Sequence, residues 1–213
     1  MREKLIEAME SFKGAKTGNA KHKEIIDIYN SCKPLPRGVK MKESYPWCCA
    51  TVSSAVIKAG LQDKIPRECS CGKLLNLMKE AGMWVESDSF VPTPGDFLIY
   101  DWGDSGKGDD GEGHDHIGMV KSVTGKQMIV MEGNKGGAWG TRKVSVNGKY
   151  IRGFCHLSVL DKEEKVYTKA LLGEGLSKIA KRCGISLAQI KELNPDIKPP
   201  MYLVRLGKEV RIK

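Results

Sequence analysis

The spacing of apolar residues changes period once along this chain, near residue 82, and that change constrains the fold more than any other feature. Before it, apolar side chains recur at helical intervals. Leu5, Ile6, Met9 and Phe12 predict one helix and Ile25, Ile26, Ile28 and Tyr29 a second, broken by Lys33-Pro-Leu-Pro-Arg-Gly38. Trp47 to Ala59 predicts a third, stopped by Gly60. Cys71 to Ala81 predicts a fourth, with Ser70 as N-cap and Gly82 as the stop. After Gly82 the pattern is that of strands: Phe97-Leu-Ile-Tyr100 following the Pro94-Gly95-Asp96 turn, a hairpin of His116–Val123 with Lys126–Glu132, and a second hairpin around Asn147-Gly148. Helices first and an antiparallel sheet after them predict an α+β fold.

Residues 1–160 form the expected first domain and 161–165, Asp-Lys-Glu-Glu-Lys, a charged linker. Residues 166–213 read as a small strand–helix–helix–strand unit, near the lower size limit for independent folding. The 213 residues are 40% hydrophobic and 29% charged, an ordinary globular composition that excludes disordered and collagen-like chains. No apolar run is long enough to span a membrane and the first ten residues lack a signal-peptide core, so synthesis in the cytoplasm without membrane insertion is expected. The net charge of +9 predicts an anionic partner. The lysines are scattered and no groove-reading module is present, which argues against nucleic acid and for an acidic cell wall. Seven cysteines, two pairs of them too close in sequence for easy bridging, argue for free thiols.

Two segments carry chemistry. In Tyr45-Pro-Trp-Cys48-Cys49 the cysteines open a helix, where unpaired N–H groups and the dipole favour a thiolate. Cys49 shares a stripe with Val52, Val56 and Ala59 and is expected to pack inward. Cys48, about 100° around the helix, is the candidate nucleophile. The second segment is the strand beginning at His116 and the one ending Glu132-Gly-Asn134. A three-residue turn with left-handed Gly125 makes paired positions sum to 250, setting His116 opposite Asn134 with Glu132 on the same face. A two-residue turn would send Glu132 to the other face. Under the first register a cysteine nucleophile gains a base and two polar groups to orient it.

With these residues in place, the first 158 residues resemble the CHAP amidases and endopeptidases of the NlpC/P60 superfamily, papain-like peptidoglycan hydrolases. The resemblance rests on Trp47-Cys48 opening a helix, Pro94-Gly95-Asp96 before a strand, His116-Ile-Gly-Met-Val, and Glu132-Gly-Asn134. It implies Cys48 as nucleophile, His116 as general base and acid, Glu132 and Asn134 as orienting groups, and no cofactor. The arrangement is similar to prophage endolysins of Gram-positive, clostridia-like bacteria, and implies a monomer that acts on the wall after release from the cytoplasm. A basic segment, Arg37 to Ser44, stands where some CHAP enzymes carry an acidic calcium loop. The separate acidic stretch Asp101 to Glu112 lacks EF-hand spacing and reads as a solvated loop rather than a metal site.

The tail resembles a LysM module, through Leu176, Ile179, Ala180, Asn194, Pro195, Gly207 and Ile212. This implies binding of N-acetylglucosamine-containing glycan by Gly173, Glu174, Gly175 and Leu176 together with Asn194, Pro195, Asp196 and Ile197. Gly173-Glu-Gly175 departs from the family's Gly-Asp-Thr/Ser. Two other readings compete: zinc held by Cys69, Cys71, His114 and His116, though C-x-C is not the usual knuckle, and a non-catalytic wall-binding protein. A pure binder has no use for Cys48 paired with His116.

Overall fold

The computed structural model describes residues 1–106, 112–161, 167–198 and 202–213. The chain divides into two compact units, Met1–Asp161 and Lys162–Lys213. Parts of two expected features, the acidic loop (107–111) and the charged linker (162–165), lie outside the described residues, as does Val166.

The first unit opens with four helices, α1 (Arg2–Glu10), α2 (Ala20–Ser31), α3 (Cys48–Lys58) and α4 (Cys71–Glu80). Six strands follow: β1 (Trp84–Val85), β2 (Phe97–Tyr100), β3 (His116–Thr124), β4 (Gln127–Lys135), β5 (Ala138–Ser145) and β6 (Ile151–Cys155). They form one antiparallel sheet in the order β1-β6-β2-β3-β4-β5. Alternation along the strands gives the sheet two faces. Phe97, Ile99, Ile117, Met119, Met131 and Cys155 pack beneath the helices, with Leu5, Phe12, Ile25, Trp47, Val52 and Leu74. Leu98, Tyr100, Val120, Met128, Val130, Ile151 and Phe154 gather on the opposite face.

The expected hairpin around Asn147-Gly148 does not form. Asn147 adopts φ 57°, but the chain crosses over, and β6 pairs with β2 and β1 rather than with β5. All five residues of β6 are buried, and a strand buried on both faces gains most from a neighbour on each side. β5 instead pairs with β4 along most of its length.

The Pro94-Gly95-Asp96 turn ties the helices to the sheet. Asp96 is buried and accepts from the Thr93 and Leu157 amides at 2.9 Å each, from the Arg2 guanidinium at 2.8 Å, and meets His156 Nδ1 at 2.9 Å. Arg2 also bonds Asp161, so this one carboxylate joins α1, the turn before β2 and the end of β6.

In the second unit β7 (Tyr167–Lys169) pairs antiparallel with β8 (Glu209–Arg211), and α5 (Leu176–Cys183) and α6 (Leu187–Leu193) lie between them in sequence. α5 ends at left-handed Gly184, and α6 begins with a reciprocal capping box between Ser186 and Gln189. Leu176, Ile179, Ala180, Ile190, Ile197 and Val210 make its core. No helix among the described residues is long and apolar enough to cross a membrane.

Candidate active site

Cys48 is the first residue of α3, and the N-cap, Trp47, offers no side-chain acceptor. The amides of the first turn, which have no partner inside the helix, are therefore left for a ligand oxygen. Trp47 is fixed by its indole N–H donating to Thr17 Oγ1 at 3.1 Å, and the Thr51 hydroxyl donates back to the Trp47 carbonyl at 2.6 Å. Cys49 turns into the core and donates to the Glu68 carbonyl at 3.1 Å. Cys48 retains 7% exposure, and its sulfur lies 3.8 Å from that of Cys71.

His116 begins β3, opposite Tyr100 in the ladder. Its Nε2 is 3.1 Å from Glu132 Oε2, and with that nitrogen engaged Nδ1 is the one left to exchange a proton with Cys48, the ring's other electrostatic partner. Glu132 is wholly buried. Besides His116 it accepts the Tyr100 hydroxyl at 2.7 Å and two Arg142 bonds, Nε to Oε1 at 2.8 Å and Nη2 to Oε2 at 3.2 Å. Both carboxylate oxygens are thus satisfied, which a buried charge requires.

Strand register delivers Glu132 to this place by a route other than the one the sequence predicts. The turn after β3 has two residues, with Thr124 paired to Gln127, and taken alone it would turn Glu132 away. A bulge between Val120 and Ser122 inserts one unpaired residue, Lys121, and restores the register in which Val120 meets Val130 and Met119 meets Met131. Asn134 lies in an irregular stretch at the end of β4 with φ 58°. Among the described residues its carboxamide makes no hydrogen bond to His116, whose ring is bonded to Glu132 instead.

Burial lowers the basicity of the imidazole, but the hydrogen bonds to Cys48 and Glu132 outweigh it and push His116 up to about 9. Burial also works against ionised Glu132, and its bonds from His116, Arg142 and Tyr100 nevertheless hold it below the usual carboxylate range. The hydrogen bond with Cys71 and burial push the Cys48 thiol above the ordinary cysteine range, against the opposite pull of His116. The thiol-acidifying effect expected from the helix N-terminus is therefore overcome in the resting site.

Sequence reasoning missed Tyr100, Arg142 and Trp102, and weighed Cys71 as a zinc ligand rather than as a neighbour of Cys48. Arg142 lies on β5 opposite Val130, one pleat from Glu132, and its guanidinium covers the rings of Tyr100 and Trp102 at 5.5 and 5.2 Å. Trp102, 43% exposed, stacks on Tyr100 at 5.0 Å and lies nearly parallel to His116 at 5.9 Å. A lone arginine in the strand after Glu132, at the matching parity, was the available signal.

Two of the acidic-loop carboxylates, Asp101 and Asp104, are committed to backbone. Asp101 accepts from Gly103 and Gly113, and Asp104 from Gly106 and Ile151. Among the described residues no group of three or more His, Cys, Asp or Glu side chains could hold a metal ion. Cys71 faces Cys48, while the His114 ring lies so close to Gly72 that an added Cβ would sit 2.4 Å from it.

In the second unit the eight predicted glycan-binding positions divide by exposure. The side chains of Leu176 and Ile197 belong to the core. Glu174 is buried against Arg182, with bonds of 2.8 Å from Nε and Nη2, and accepts the Leu171 amide at 2.9 Å. The Asn194 side chain bridges α6 and β8, donating to the Ile190 and Arg211 carbonyls and accepting the Arg211 amide. Gly173, Pro195 and Asp196 are exposed, and Gly175 half-buried.

A comparison with protein families matches the CHAP domain to residues 40–134 and the LysM domain to residues 172–213. The chain carries a region matching the CHAP domain followed by a region matching the LysM domain. No curated protein and no solved structure matches it. CHAP domains are generally cysteine- and histidine-dependent amidase or endopeptidase domains, and LysM domains bind the N-acetylglucosamine glycan of peptidoglycan. The CHAP match contains Cys48, Cys71, His116 and Glu132 and ends at Asn134, so Arg142, which completes the ring of donors around Glu132, falls beyond it.

Proposed function

We propose that this CHAP–LysM chain is an endolysin-like peptidoglycan hydrolase in which Cys48 cleaves an amide bond and the LysM domain holds the enzyme on wall glycan. The observation that carries the reading is the buried His116–Glu132 pair beside a cysteine at a helix N-terminus, a nucleophile–base–orienter set. The +9 charge favours approach to an acidic wall.

In the proposed reaction the Cys48–His116 pair loses one proton, leaving thiolate beside imidazolium. The thiolate adds to the amide carbonyl, and the oxyanion is received by first-turn amides of α3, including that of Cys48. Imidazolium donates its proton to the departing amine as the tetrahedral adduct collapses to a thioester. His116 then takes a proton from water, whose oxygen attacks the thioester, and the acid and the Cys48 thiol are released. Glu132 stays ionised throughout, holding the ring and stabilising its charged form. Tyr100 and Arg142 hold Glu132. Trp102 covers one side of the imidazole and limits access of water.

The test is release of amines and of reducing ends from purified Gram-positive walls by wild type, Cys48→Ala and Cys49→Ala. New amines without new reducing ends, lost in Cys48→Ala and kept in Cys49→Ala, support an amide hydrolase with that nucleophile, and product masses identify the bond. Retention on walls with no product from several wall types would replace this reading with that of a binding protein.

A further inference from the structure

Cys71 has no part in the reaction above, yet it lies against the nucleophile. Its sulfur is 3.8 Å from that of Cys48, and both thiols are nearly closed off, at 8% and 7% exposure. Each cysteine is the first residue of its helix, Cys71 of α4 and Cys48 of α3, so two helix N-termini converge on the pair. A disulfide needs the sulfurs about 2 Å apart, so bonding requires only a modest approach of two side chains already in contact.

We propose that Cys48 and Cys71 form an oxidative modification site, a dithiol that a hydroperoxide converts to an intramolecular disulfide. Cys48 thiolate attacks the peroxide's terminal oxygen. The O–O bond breaks, the leaving alkoxide or hydroxide takes a proton, and Cys48 becomes a sulfenic acid. The Cys71 sulfur then attacks the Cys48 sulfur, losing its proton as the S–O bond breaks, and water departs. The two thiols thereby give up two electrons and two protons and share one S–S bond, and the peroxide is reduced by two electrons to water and an alcohol or a second water. Cys48 reacts first because His116 beside it favours its thiolate once the pair has lost a proton, and because a site that admits an amide carbonyl also admits a small peroxide. Cys49 is the other thiol near Cys71, but it is fully buried and its S–H is spent on the Glu68 carbonyl. Closing the disulfide removes the nucleophile, and a small thiol restores it by exchange. The chemistry rests on the two thiols alone, and its effect on activity rests on the amide-hydrolase reading.

The full-length protein is treated with hydrogen peroxide, alkylated without reduction, digested and mapped by mass, and in parallel assayed on walls before and after dithiothreitol. The expected result is a Cys48–Cys71 linked peptide pair, loss of wall hydrolysis, and recovery of both free thiols and activity on reduction. Cys71→Ser, measured against its own untreated rate, is expected to lose activity without recovery, its Cys48 passing to sulfinic acid. Wild type that yields Cys48 sulfinic acid with Cys71 unlinked, or that links Cys71 to Cys49, overturns the proposal. A Cys48–Cys71 link in a protein that never hydrolyses walls leaves the modification site standing and removes the hydrolase reading instead.

Discussion

A side chain on Gly118 would collide with that of Glu132: a Cβ built there falls 2.9 Å from Glu132 Cγ, 2.8 Å from the Met131 carbonyl oxygen and 2.5 Å from a Val130 methyl. The absence of a side chain on β3 makes the space through which the carboxylate passes to reach His116. Gly118→Ala is expected to destabilise the first unit by about 1–3 kcal/mol, the usual cost of overpacking, and to lower wall hydrolysis by more than the fraction unfolded accounts for. Denaturant unfolding alongside activity at a temperature where the variant is folded checks it. Full activity would mean that the position of Glu132 is uncritical.

The pH profile follows from the Cys48–His116 pair. His116 is raised from 6.5 to about 9, so the imidazolium is favoured at neutral pH, and Cys48 is raised as well. The resting pair therefore carries one proton too many to react, and hydrolysis is expected to rise with pH up to about 9. The stability that His116 gains from its partners has the opposite slope: it is whole below 6.5 and is lost as pH rises through about 9. Glu132→Gln is expected to move the activity limb to lower pH and to cut the maximal rate by about 10²-fold through loss of ring orientation. Cys71→Ala also moves the limb to lower pH, because it deletes the contact that most raises Cys48, but leaves the His116–Glu132 bond in place. Initial rates on solubilised wall fragments between pH 5 and 10 distinguish the two. A limb unmoved in both variants would detach the profile from this pair.

Asp96 supports the site without touching it. Asp96→Ala leaves the Arg2 guanidinium and the Thr93 and Leu157 amides without their shared acceptor in a buried place. Breaking such a buried pair from one side costs on the order of 3–5 kcal/mol. The first unit is expected to lose most of its stability, measured as a lower denaturant midpoint. A change under 1 kcal/mol, of the order of an exposed ion pair, would contradict the role of Asp96 as the joint between α1 and the sheet.

The helices were legible because their signals are local: Cys49 with Val52 and Val56, or Leu74 with Met78, follow from spacing alone. The face occupied by Glu132 was read correctly from a turn that does not exist. The two-residue turn and the bulge between Val120 and Ser122 compensate one another, and a bulge without glycine or proline leaves no mark in the sequence. The partners of Glu132 were not legible, since Tyr100 and Arg142 reach it from β2 and β5 through strand order. The crossover to β6 was hidden for the same reason. Asn147-Gly148 signals a turn but not which strand the chain meets after it, and the buried run Ile151–Cys155 was the only local hint of a central position.

Asn194 and Asp196 separate the framework of the LysM domain from its surface. The Asn194 carboxamide joins the end of α6 to β8 through three hydrogen bonds of 2.7–2.9 Å, whereas Asp196 is exposed and paired with Lys208. Asn194→Ala removes all three of these hydrogen bonds, each contributing about 0.5–1.5 kcal/mol. In a unit of this size that is a large share of the stability available. Asn194→Ala is expected to lower wall retention by unfolding the domain, with amide protection of α6 and β8 lost together. Asp196→Ala is expected to leave protection intact, so a fall in its wall retention reports contact with glycan. Protection retained in Asn194→Ala while wall retention falls would move Asn194 from the framework to the glycan-contacting set.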